Sequence, residues 1–179
     1  MPVELKNRET ARKETKNTIS DRSEVENAQR LADRIIYLKN HNIKKYEDGA
    51  SEAVLDNVKI WLSWIAKVNK GSLHELEMLK AAASSSNFIN MKEEHVRDYG
   101  VLDHIIRLEE RKIDLRDPAA NFVVAIRDQD DLIRTLALMK EEYKGTTVGK
   151  LAAHAIDVET KIKNTISNKL DDLMEHSMR

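Results

Sequence analysis

The stretch "DPAANFVVAIRDQDDLIRTLALMKEEYKG", residues 117–145, decides the fold. Phe122, Ala125, Gln129, Leu132, Leu136, Met139 and Tyr143 recur at alternating steps of three and four. That spacing lines side chains along one stripe of an α-helix, whereas a half-buried strand repeats every second residue. Asp117 stands where a helix cap belongs, and Pro118 occupies the first helical position, where its missing N–H costs nothing. Lys144 and Gly145 supply the stop. One member of the stripe, Gln129, is polar.

Downstream, a second pattern starts at Thr146 or Thr147 and reaches about Glu175. Val148, Leu151, Ala155, Val158 and Ile162 keep the heptad; Ile166, Leu170 and Leu173 continue it after a shift in spacing. A helix of roughly 30 residues is about 45 Å long, and a compact domain of this chain length is about 35–40 Å across. The helix is therefore expected to overhang its own domain or to pack on another chain. Leu151, Ala155, Val158, Ile162, Ile166 and Leu170 are the candidate oligomer interface, with a second copy of the chain as partner. His154 flanks that seam with no second histidine at ligand spacing and no acid one turn before it.

Upstream, Ala28, Leu31, Ile35 and Leu38 mark a helix that "SEVE" at 23–26 caps and Gly49 ends. Val54, Val58, Trp61, Ile65 and Val68 mark another over about 51–70, with Lys67, Lys70 and Gly71 at its close. "SLHE" at 72–75 opens a third with Leu73, Leu76 and Leu79 inward. A fourth is expected from about Asn90 to Leu115, with His95, Tyr99, Leu102, Ile106 and Ile113 on one face. The "AAASSSN" run at 81–87 favours turns over helix interior and places a hinge near 82–90. Residues 1–20 have no periodicity and are expected to form a flexible charged arm. The fold is thus all-α: a five- to six-helix bundle over 21–179 as a single domain, with an N-terminal arm and a long C-terminal helix of coiled-coil character.

Composition narrows the chemistry. The 179 residues include five glycines, two prolines and no cysteine, which excludes disulfides, thiolate catalysis and cysteine-held metals. The longest apolar run, "FVVAI" at 122–126, is far too short to span a bilayer, and the N-terminus has no apolar signal core. A soluble protein, cytoplasmic or inside a viral particle, is the expectation, with no membrane partner. No glycine-rich phosphate loop or nucleophile elbow occurs. "HELE" at 74–77 opens like a zinc-protease helix, but Met78 stands where the second histidine must be. No histidine follows an acid at the Glu-x-x-His spacing of di-iron bundles. No catalytic residue, metal ligand set or cofactor is therefore assigned. An alternative enzyme or metal-binding reading rests on His95 with nearby carboxylates, and an adaptor reading on the seam near 81–87.

Charge is uneven. Residues 1–46 hold eleven Lys/Arg against seven Asp/Glu, and residues 47–179 hold nineteen against twenty-four. On the first helix Arg30, Arg34, Tyr37, His41, Lys44 and Lys45 fall within about 100° of one another, opposite the apolar stripe. This is the candidate nucleic-acid or polyanion face, because lysines and arginines along one face release phosphate counterions. The expected function is a non-enzymatic, self-associating helical structural or regulatory protein of the capsid, nucleocapsid or assembly-component type, contacting nucleic acid through that face.

Overall fold

The computed structural model describes residues 2–85 and 110–177, with side chains over 27–85 and 110–176. The chain is an all-α bundle: α1 (Pro2–Glu52), α2 (Asp56–Asn69), α3 (Leu73–Ala83), α4 (Pro118–Glu142) and α5 (Thr147–Ser177), with a 3₁₀ turn at Lys70–Ser72 between α2 and α3. The side chains of the arm expected over 1–20 lie outside the described residues. So do residues 86–109, which carry most of the expected fourth helix, part of the hinge, and His95. The end expected for that helix is corrected: residues 110–117 are not helical.

α4 follows its sequence closely. Asp117 accepts a hydrogen bond from the Ala119 amide (3.0 Å), and Pro118 starts the helix. All seven residues of the 122–143 stripe are buried. The turn into α5 depends on two glycines. Gly145 takes φ 80°, a left-handed conformation that costs other residues about 1–2 kcal/mol. At Gly149 a Cβ would overlap the Tyr143 carbonyl oxygen. Thr146 adds a third tie: its hydroxyl donates to Tyr143 O (2.5 Å) and accepts from the Gly149 amide (3.2 Å). The result is an antiparallel α4–α5 hairpin, against which α1, α2 and α3 pack.

Several expected boundaries are corrected. α1 runs through Ser23, so no helix starts there, and it continues to Glu52, so Gly49 does not end it. Gly49 is instead a packing position. A Cβ there would sit 3.1 Å from both Leu62 and Ile113, so the absent side chain lets α2 and the 110–117 segment approach α1. α2 begins at Asp56, after an extended Leu55, which leaves Val54 91% exposed rather than in the stripe. Gly71 lies in the 3₁₀ turn and not in a left-handed cap. Ser72 does precede α3, but its side chain makes no capping bond; the hydroxyl turns back toward Asn69 O (3.5 Å).

Among the described residues the core has two apolar compartments. One joins Ala28–Leu38 of α1, Leu76 and Leu79 of α3, Leu132–Met139 of α4 and Val148–Ala155 of α5. The other joins Tyr46–Ala53, Val58–Ala66 of α2, Phe122 and Ala125 of α4, and Ile162 and Ile166 of α5. Between them lies a polar layer to which each of four helices gives one residue: Lys39, Asn69, Gln129 and Glu159, none more than 2% exposed.

Candidate functional site

The polar layer is closed. Lys39 Nζ donates to Glu159 Oε2 (2.9 Å) and to Asn69 Oδ1 (3.1 Å). Asn69 Nδ2 donates to Ile65 O (2.9 Å), and Gln129 Nε2 donates to both Glu159 O (3.0 Å) and the Glu159 carboxylate. Glu159 Oε1 has no partner among the described residues. Burial pushes the Lys39 ammonium below its ordinary value of 10.5, against the opposing pull of Glu159. Two opposite charges at such depth are compatible with folding because they meet and their hydrogen bonds are mostly met.

About two turns further along α1, a second polar group borders solvent. It lines a cleft of about 250 Å³ between α1, α4 and the 110–111 segment. Asp128, 6% exposed, is its centre: it accepts from Lys45 Nζ (2.6 Å), the Tyr46 hydroxyl (2.7 Å) and Arg111 Nη1 (3.3 Å). Arg111 also pairs with Asp131, which in turn holds Arg134. Burial beside the Asp128 carboxylate pushes the Tyr46 phenol well above its ordinary value of 10.0. Arg111 is brought here by a local clamp. Asn121 exchanges hydrogen bonds with the Asp114 backbone (2.7 and 2.6 Å), while Asp114 Oδ1 accepts from the Arg116 and Asp117 amides.

This cleft is where the expected basic face lies, so the structure does bring four of its residues together: Arg34, Tyr37, His41 and Lys45. Tyr37 is 60% exposed and stacks on His41, with ring centroids 5.8 Å apart. The charges, however, are largely answered from within the molecule. Lys45 pairs with Asp128, Lys44 with Asp48 (2.7 Å), and His41 faces Glu110 (3.5 Å). Arg30 is exposed. The sequence could place these residues on one face, but not the carboxylate that α4 sets against them from 83 positions away.

The expected interface residues on α5 divide. Ala155, Ile162 and Ile166 are buried in the chain's own core. Leu151, Val158 and Leu170 are half-buried and pack against the two compartments. The seam that α5 presents inward is Val148, Ala152, Ala155, Glu159, Ile162 and Ile166. Sequence reasoning missed Lys39, Asn69 and Glu159. A signal existed: each occupies the next helical step of a stripe otherwise apolar, as Gln129 does on α4.

Among the described residues no group of three or more His, Asp or Glu is placed to hold a metal ion. No helix among them is long and apolar enough to cross a membrane. Compared with protein-family models, curated proteins and solved structures, the chain matches none.

Proposed function

We propose that this chain is a self-associating helical structural or regulatory protein, an assembly component of the capsid or nucleocapsid type, and that two copies pair through the end of the bundle where α5 outruns α4. The observation that carries the reading is the length mismatch: α5 has 31 residues and its hairpin partner 25. About 9 Å of α5 therefore passes the start of α4, and its apolar stripe does not stop there. Ile166 is buried, Leu170 and Leu173 are half-buried, and Met174 is 51% exposed. Trp61 and Trp64 border the same compartment half-buried, edge to face at 5.9 Å, with Lys169 Nζ 5.4 Å from the Trp61 ring. Tryptophan ringed by aliphatic side chains is the composition of association hot spots.

A second copy offers one complementary charge contact at this end. The last turns of α5 carry Lys169 and, beyond it, Asp171, Asp172 and Glu175. Antiparallel pairing of two such ends about a two-fold axis sets each Lys169 near the other copy's Glu175, a self-complementary contact that closes at two subunits. Light scattering at micromolar concentration tests the reading. A dimer is expected, and Leu170→Glu with Leu173→Glu should give a folded monomer. A wild-type chain that is strictly monomeric at that concentration would overturn it.

A further inference from the structure

Among the described residues, α2 carries a stripe of exposed lysines beside a groove that it forms with α1. Lys59, Ser63, Lys67 and Lys70 follow one another at steps of four, four and three, so they form one stripe along α2 and into the 3₁₀ turn that follows it, about 17 Å from end to end. The stripe forms one wall of a groove whose other side is Glu47, Ala50 and Ser51 of α1, with a volume of about 500 Å³. The groove floor is small, with Ala50 and Ala66 buried and the hydroxyls of Ser51 and Ser63 exposed. Lys70 pairs with Glu47 (2.6 Å), the one acid in the groove lining. Lys59 and Lys67 are exposed and have no acidic partner among the described residues. On the α1 face Lys44 and Lys45 are already paired within the chain, while Arg30 is exposed.

We infer that the α1–α2 groove binds the phosphate backbone of a nucleic-acid strand, with Lys59 and Lys67 as the cations and Ser51 and Ser63 as hydroxyl donors. An acidic protein partner fits less well. Stable protein interfaces centre on apolar or aromatic anchors in pockets, and among the described residues this groove is lined by lysine, glutamate, serine and alanine alone. Phosphate binding needs only charge and access, which lysines over a small-residue floor supply. Among the described residues no aromatic ring lines the groove to stack a base, so binding is to the backbone and is independent of sequence.

The test is fluorescence anisotropy of the full-length protein with a fluorescein-labelled single-stranded oligonucleotide. Two phosphate contacts give a salt slope of about 1.4, so affinity should fall roughly sevenfold between 50 and 200 mM salt. Lys59→Glu with Lys67→Glu should cost at least tenfold, and Lys59→Gln with Lys67→Gln less. Both positions are exposed, and unchanged circular dichroism will show that the fold is kept. Arg30→Ala with Arg34→Ala should bind as wild type. Three results each overturn the inference: no binding at 50 mM salt; binding that survives the Lys59/Lys67 charge reversal; or competition by polyglutamate as effective as that by unlabelled oligonucleotide. Light scattering on the same samples reads self-association separately, so failure of one proposal leaves the other standing.

Discussion

The two polar groups of this bundle use the same chemistry at different depths. In the inner layer Lys39 and Glu159 meet with both side chains fully buried. In the outer group Lys45 and Asp128 meet at the cleft edge, with side chains 14% and 6% exposed. Their separations are similar, 2.9 and 2.6 Å. Depth changes what each does. Removing one partner inside strands a charge with no water to take it up, whereas at the cleft the remaining partners and solvent share the loss. The inner layer therefore fixes how four helices sit against one another. The outer group ties α1, α4 and the 110–114 segment together and leaves a cleft open.

The largest expected effect follows directly. Lys39→Met leaves Glu159 buried and unpaired and should cost about 3–5 kcal/mol in urea unfolding. Adding Glu159→Leu should recover most of that, because replacing a whole buried pair by apolar groups is often neutral or better. The comparison fails if the single Lys39→Met change costs no more than Lys45→Met. It is sharpened if the double variant is stable yet shows broadened or doubled NMR signals from α5, as expected of a helix that has lost the residue fixing its rotation.

That last expectation explains what the sequence could and could not reveal. On α5, steps of three and four are kept both by Val148, Leu151, Ala155, Val158 and Ile162 and by Val148, Ala152, Ala155, Glu159 and Ile162. Hydropathy favours the first; the fold uses the second. The deciding fact is the lysine on α1, 120 positions away, and periodicity within one helix does not contain it. α4 was legible in full because cap, proline, stripe and stop all lie within 29 residues. Helix ends set by packing were not legible: Gly49 looks like a breaker in sequence and proves to be the space into which Leu62 and Ile113 fit. The same limit governs the candidate site. The basic residues of α1 were identifiable, their neutralising partners were not, and the unpaired lysines of α2 stand out only once the paired ones are known.

At the cleft, Asp128→Ala should cost about 2–3 kcal/mol, as a buried acceptor shared by three donors is lost. Tyr46→Phe removes one of those donors and should cost about 1 kcal/mol. If Asp128→Ala proves costlier than Lys39→Met, the ranking of the two groups by depth is wrong.

The two groups also pull stability in opposite directions with pH. The Lys39 ammonium is held below 10.5 in the folded chain by burial. Near and below that value the unfolded chain thus binds the proton more readily, and stability rises as pH climbs toward 10.5. The Tyr46 phenol is raised well above 10.0 by burial and by Asp128. There the folded chain keeps its proton longer, so stability is full below pH 10 and falls as pH rises beyond it. Urea midpoints between pH 8 and 11, taken as differences from wild type, separate the two. Lys39→Met with Glu159→Leu should lose the rising limb alone, and Tyr46→Phe the falling limb alone. If both limbs vanish in either variant, the inner layer and the cleft are one coupled network and not two.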